Sequence, residues 1–152
     1  MNHEPLVKDF MTLQPQTIES KEPLEAAEKL MTLFGIRHLP VTDTGIVVGI
    51  LSERELKAAL ETESAELKQL FVIDICSQKP YIISPDTPLR DVAGVMAREH
   101  LGSAIIMENA KLVGIFTTVD ACRALHDLIE KAMEGANIEN LRSMRFLLGS
   151  RG

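Results

Sequence analysis

Val48-Gly49-Ile50-Leu51-Ser52-Glu53-Arg54-Glu55 recurs without a gap as Val113-Gly114-Ile115-Phe116-Thr117-Thr118-Val119-Asp120, a displacement of 65 positions from Gly49 to Gly114. The same displacement carries Val7 onto Val72, Asp9 onto Asp74, Pro15 onto Pro80, Ile18 onto Ile83, Pro23-Leu24 onto Pro88-Leu89, Met31 onto Met96 and Ala59-Leu60 onto Ala124-Leu125. One supersecondary unit is therefore present twice, and a unit this short cannot bury its apolar face alone. The two halves are expected to pack on each other and to leave clefts between them.

Outward from that string, each repeat alternates strand and helix periodicity. Gln16–Glu19 predicts a short strand. Pro23 suits the first turn of a helix whose apolar face is Leu24, Ala27, Leu30, Met31 and Phe34, ending at Gly35 as a left-handed cap. His38–Thr42 and Ile46–Leu51 flank Asp43-Thr44-Gly45, a hairpin turn. Ser52 is an N-cap for a second helix, its hydroxyl accepting from the Arg54 or Glu55 N–H, with Glu55 completing a capping box. The second repeat reads alike: strand Tyr81–Ser84, helix Pro88–Glu99, strand Ser103–Met107, strand Leu112–Phe116, and a helix from Thr117 to about Met133. Each unit is β-α-β-β-α. The expected domains are 1–62, a polar connector at 63–71, 72–134, and a tail at 135–152 that restarts as a short helix at Asn137 with Leu141, Met144 and Leu148 as its apolar stripe.

Composition narrows the function classes. A chain of 152 residues buries about 68–70% of its unfolded surface, enough for a real core. With 4% aromatics and no Trp, aliphatic side chains and Met must fill it. A net charge of −6 and a pI near 5.2 disfavour nucleic acid as partner, since a phosphate-backbone binder needs a basic face. Cys76 and Cys122 stand alone, giving neither a redox pair nor a zinc quartet, and suit a reducing cytoplasm. Cys122 is expected as a small buried hydrophobe. No apolar run approaches the ~20 residues of a membrane span, and no signal peptide is legible, so the expectation is a cytoplasmic protein with no membrane partner.

A strand ending in Gly-apolar-x followed by Ser/Thr-x-x-Asp/Glu at a helix start offers backbone N–H groups, the positive end of the helix dipole and a hydroxyl to a phosphate. A carboxylate one turn in, as at Asp120, can accept from a ribose diol. The same string is also an ordinary capping box. His3, His38, His100 and His126 lack metal-ligand spacing, and no nucleophile–base pair emerges, so neither a metal nor catalysis is expected. His38 reads equally as a ligand contact or as an exposed strand-entry residue. Met31 and Met96 read as core. Arg142, Arg145 and Arg151 amid Met144 and Phe146–Leu148 fit a membrane-surface helix or a docking tail, and the short, mildly basic segment favours docking.

Taken together, the repeats resemble a tandem pair of CBS domains, a Bateman module, over about residues 5–130. The carrying strings are Pro15–Ala27, Gly35–Val41 and the two Gly-Ile-x-Ser/Thr-x-x-Asp/Glu segments. The resemblance implies an α+β fold with two sheets facing each other in pseudo-twofold symmetry and two clefts for AMP, ADP, ATP or another adenosyl compound. It implies a non-catalytic regulatory module that signals through conformation or assembly, commonly as a homodimer, to an unnamed effector protein. Carried over, cleft one uses Ile115, Thr117 and Asp120 with Thr17, Ile36, Arg37 and His38. Cleft two uses Ile50, Ser52 and Glu55 with Ile82, Ile83, Gly102 and Ser103. Glu55 stands for the usual Asp and Ile82 for the Thr at the matching position 17, which weakens the ribose clamp of cleft two. Val119 stands where many members carry Arg, leaving Arg37 to meet phosphate charge in cleft one. These departures keep open an alternative, a dimerisation or docking protein with vestigial clefts. For the dimer, the helix faces of Leu24, Leu30, Phe34, Leu89 and Val95 are the expected surface.

Overall fold

A 3₁₀ turn at Val7–Asp9 opens the described chain, followed by β1 (Thr12–Leu13), β2 (Ile18–Glu19), α1 (Leu24–Phe34), β3 (His38–Asp43), β4 (Ile46–Ser52) and α2 (Glu53–Leu60). The second half holds α3 (Val72–Ile75), β5 (Ile82–Ile83), α4 (Leu89–Glu99), β6 (Ser103–Glu108), β7 (Lys111–Thr117) and α5 (Thr118–Gly135). The computed structural model describes residues 3–62, 69–135, 142–145 and 149. Most of the expected connector, and the tail positions Asn137, Leu141 and Leu148, lie outside them.

The local signals produce these elements as physics dictates. Gly35 caps α1 in the left-handed conformation at φ 61°. Thr44 and Gly45 both take positive φ in the β3–β4 turn, the pairing a tight hairpin needs to match strand twist. Ser52 and Glu55 form the reciprocal capping box at the start of α2. Helix α5 begins one residue later than expected, because Thr117 remains the last residue of β7.

Two sheets form, β2-β3-β4 and β1-β7-β6-β5. In each, a short strand pairs parallel with the hairpin, as Ile18 with Val41 and Ile83 with Ile106. The packed arrangement is α+β, two β-α-β-β-α repeats sheet to sheet. Alternation along the strands gives each sheet two buried faces. Leu39, Val41 and Leu51 join Leu24, Ala27, Met31 and Leu56 in the first core. Ala104, Ile106 and Phe116 join Leu89, Val92 and Met96 in the second. Between them in register, Pro40 and Ile105 point to the opposite face and are also fully buried.

The segment preceding each repeat crosses to the other repeat. Val7 is buried in the second core, whereas Val72 and Cys76 are buried in the first. Thr12 pairs with Ile115, and Ser77, its counterpart 65 positions on, bridges Ile50. The Val7 N–H donates to the Thr87 carbonyl at 2.9 Å, as the Val72 N–H does to Glu22. Each repeat thus finishes its neighbour's core, which is how two short units bury more than either could alone.

The glycines of the repeated string make this crossing possible. A Cβ on Gly49 would stand 2.6 Å from the Ser77 carbonyl oxygen and 2.9 Å from Cys76 Sγ; on Gly114 it would meet Met11 Sδ at 2.6 Å and the Thr12 carbonyl at 3.1 Å. Only a residue without a side chain lets the crossing backbone lie this close.

Three sequence expectations change. Cys122 is exposed on α5, where Ala124 takes the core position. Leu24 and Leu89 are spent within their own cores, at 2% and 7% exposure, and so offer no dimer surface. Phe34, also expected on that face, is exposed on α1, as are Leu33 on the same helix and Leu125, Ile129 and Met133 on α5.

Candidate functional site

Cleft one forms where the N-terminus of α5 faces the end of α1 across the two repeats. Asp120 is 3% exposed. Its Oδ2 accepts from the Thr117 N–H at 2.9 Å and the Thr117 hydroxyl at 3.2 Å, while its Oδ1 accepts from the Thr12 hydroxyl at 2.9 Å. Arg123 Nη1 approaches the same Oδ1 at 3.4 Å, from a largely exposed side chain. The carboxylate therefore caps its helix and ties down the crossing strand β1 before any ligand arrives.

A cavity of about 420 Å³ lies over this cap. Of the residues expected in cleft one, Ile36, Arg37, His38, Ile115, Thr117 and Asp120 all line it. Thr17 does not. The chain passes the cleft at Gln14–Gln16 and turns away as β2 enters its sheet. Phe34 and Arg123 also line the cavity. Phe34 was readable only as part of an apolar helix stripe, yet it is 47% exposed and gives the cleft an aromatic wall. Arg123 had a local signal, since it stands one helical turn beyond Asp120, a spacing at which side chains meet.

Cleft two is the pseudo-twofold counterpart, a cavity of about 590 Å³. Ile50, Ser52, Glu55, Gly102 and Ser103 line it as expected. Ile82 and Ile83 do not, for the reason that removes Thr17: Ile83 packs against the second core and Ile82 stands on the sheet edge, so Lys79, Pro80 and Tyr81 line the cleft in their place. Glu55 Oε2 accepts from the Ser52 N–H at 2.9 Å, and Ser52 Oγ accepts from the Glu55 N–H at 3.2 Å. The longer side chain curls back on its own helix start and closes the capping box.

His38 lines both cavities and is half-buried. Burial holds its pKa below the ordinary histidine value, against the upward pull of the Glu55 carboxylate; Arg37 adds to the depression and Glu53 opposes it. Both clefts combine a helix N-terminus, cationic side chains and apolar walls, an arrangement suited to a phosphate joined to a flat heterocycle. Among the described residues no cluster of His, Cys, Asp and Glu could hold a metal ion, and no helix is long and apolar enough to cross a membrane.

Comparisons with known proteins agree with this geometry. The CBS domain protein YhcV of Bacillus subtilis is 28% identical over 114 residues, covering 75% of this chain and 81% of YhcV. The crystal structure of AcuB from Vibrio cholerae superposes with a TM-score of 0.77 at 28% identity, covering 89% of this chain and 99% of AcuB. The CBS domain pair of protein MJ0100, solved in complex with 5′-methylthioadenosine and S-adenosyl-L-methionine, gives a TM-score of 0.74 at 25% identity, covering 82% and 98% of the two chains. Several longer curated relatives are matched over only about a quarter of their length. The family model for the CBS domain matches residues 7–62 and 72–127, and with both repeats, their exchange and their paired clefts accounted for, the chain belongs to the CBS-domain family as a tandem pair.

Proposed function

We propose that the chain is a non-catalytic regulatory module that binds an adenosine nucleotide of the AMP, ADP or ATP class in cleft one and signals through conformation or assembly. The observation that carries this reading is the Thr117–Asp120 cap at the start of α5, which shares one cavity with Arg37 and with Arg123 one turn further along the same helix. Phosphate has the helix N-terminus and two guanidinium groups; ribose has Asp120; adenine has Ile36, Ile115 and Phe34 as apolar walls. The adenosyl ligands of the MJ0100 pair support the class.

Cleft two is the weaker site in this reading. Glu55 Oε2 is turned back onto the Ser52 N–H, whereas Asp120 Oδ1 is held by one hydroxyl and a long guanidinium contact, both exchangeable for a ribose hydroxyl. A thermal-shift panel of AMP, ADP, ATP, S-adenosylmethionine and guanosine monophosphate tests the class. A stabilisation confined to adenosyl compounds supports it, because a ligand that binds only the folded state raises its stability. No shift at millimolar ligand, with a folded protein that still self-associates, favours the docking alternative, to which the hydrogen bonds already held by the Asp120 carboxylate lend weight.

A further inference from the structure

His38 stands where the two clefts meet. Its ring lines the cavity of cleft one, that of cleft two, and a shallower cavity over α2. The 65-residue displacement relates Arg37 to Gly102 and His38 to Ser103, so the second repeat lacks both large side chains at this point. The ring fills the resulting room: a Cβ on Gly102 would lie 2.7 Å from His38 Nε2. Among the described residues the ring makes no hydrogen bond to the protein.

The charged and titratable groups around it come from every neighbouring element. Arg37 precedes it; α2 and its C-cap bring Glu53, Arg54, Glu55, Lys57 and Glu61; Lys79 and Tyr81 approach ahead of β5, His100 after α4, and Asp120 and Arg123 from α5. Without ligand, burial favours the neutral ring, and Glu55, the carboxylate that pulls its pKa up most, is engaged with the Ser52 N–H.

We propose that His38 is a proton-linked ligand contact common to both clefts: a phosphate-bearing ligand in either one binds with uptake of a proton from solvent onto this ring. The imidazolium then donates to a phosphate oxygen, a charge-assisted hydrogen bond. This inference rests on the nucleotide reading above. A phosphate raises the ring's pKa in the complex above its value in the free protein. Between those two values binding takes up a proton, and affinity falls as pH rises, by at most about tenfold per pH unit. Adenosine, with no phosphate, lacks this dependence.

The test is calorimetry on the full chain with AMP and with adenosine, in two buffers of different protonation enthalpy, between about pH 6 and 8 where histidine titrates. The AMP phosphate titrates in the same range, so the comparison is between wild type and His38→Gln, in which that contribution is common. Wild type is expected to take up a fraction of a proton more than the variant with AMP, and the same amount with adenosine. The His38 ring resonance, followed by NMR in wild type alone, is expected to shift its midpoint upward on AMP saturation. AMP binding with an unmoved His38 midpoint, or equal uptake in wild type and variant, overturns this inference and leaves the nucleotide reading standing. Failure of AMP and adenosine alike to bind wild type overturns both.

Discussion

Thr12 and Asp120 are 108 positions apart, yet their side chains meet at 2.9 Å. No local reading finds that contact, whereas the Thr117–Asp120 half of the same cluster was legible because capping needs only three residues of spacing. The same division runs through the clefts. Ser52, Glu55, Thr117 and Asp120, read from a helix-start string, line the cavities, and Thr17, Ile82 and Ile83 do not, because where a chain leaves a cleft depends on where its next strand pairs. His100 is a residue-scale departure with a measurable consequence. It ends α4 at φ 55°, ψ 41°, in the position where the first repeat uses Gly35 at φ 61°, ψ 37°. A side chain in that conformation carries strain that glycine does not. His100→Gly is expected to raise unfolding free energy by about 0.5–1 kcal/mol, the steric gain outweighing glycine's entropy in the unfolded chain. An unchanged or lower denaturation midpoint would contradict this.

At the scale of elements, the order of strands and helices was readable from periodicity and the repeat, but the exchange of leading segments was not. Strand β1 is two residues long and Ser77 pairs as a single bridge, too short for any alternation to register. The glycine of the repeated string was the available signal, readable only once the crossing is known. The two glycines differ in what an added methyl would strike. At Gly49 it meets a backbone carbonyl and a buried sulfur, at Gly114 first the end of the flexible Met11 side chain. Gly49→Ala is therefore expected to destabilise by about 1–3 kcal/mol, in the range of overpacked cores, and Gly114→Ala by less. Urea denaturation of both variants decides the order. Equal losses would mean that the crossing segments yield alike.

For the whole molecule, the apolar groups Leu125, Ile129 and Met133 recur every four residues along α5, each between 45% and 61% exposed, as one stripe. A groove of about 280 Å³ between α4 and α5, lined by Leu89, Ala93 and Leu128 among others, adjoins it. The homodimer expected from the sequence is predicted to pair through the Leu125, Ile129 and Met133 stripe of α5 rather than through the buried Leu24 and Leu89. Ile129→Glu is expected to shift a wild-type dimer to monomer in light scattering across a micromolar series, because a charge in a closed apolar interface is left without a partner. A wild-type monomer, or a dimer indifferent to the substitution, would rule out α5 as the contact. If ligand occupancy changes the pairing, it must bind one arrangement more tightly than the other.

The claim on which regulation rests is that cleft one holds the nucleotide through the α5 cap. Calorimetric titration of AMP into wild type and Asp120→Ala measures it. The expected result is one tight site per chain in wild type and an affinity loss of roughly ten- to a hundredfold in the variant, equivalent to about 1.5–3 kcal/mol for a charge-assisted hydrogen bond. Two equal sites in wild type, or an Asp120→Ala protein that binds AMP as tightly as wild type, would contradict the account.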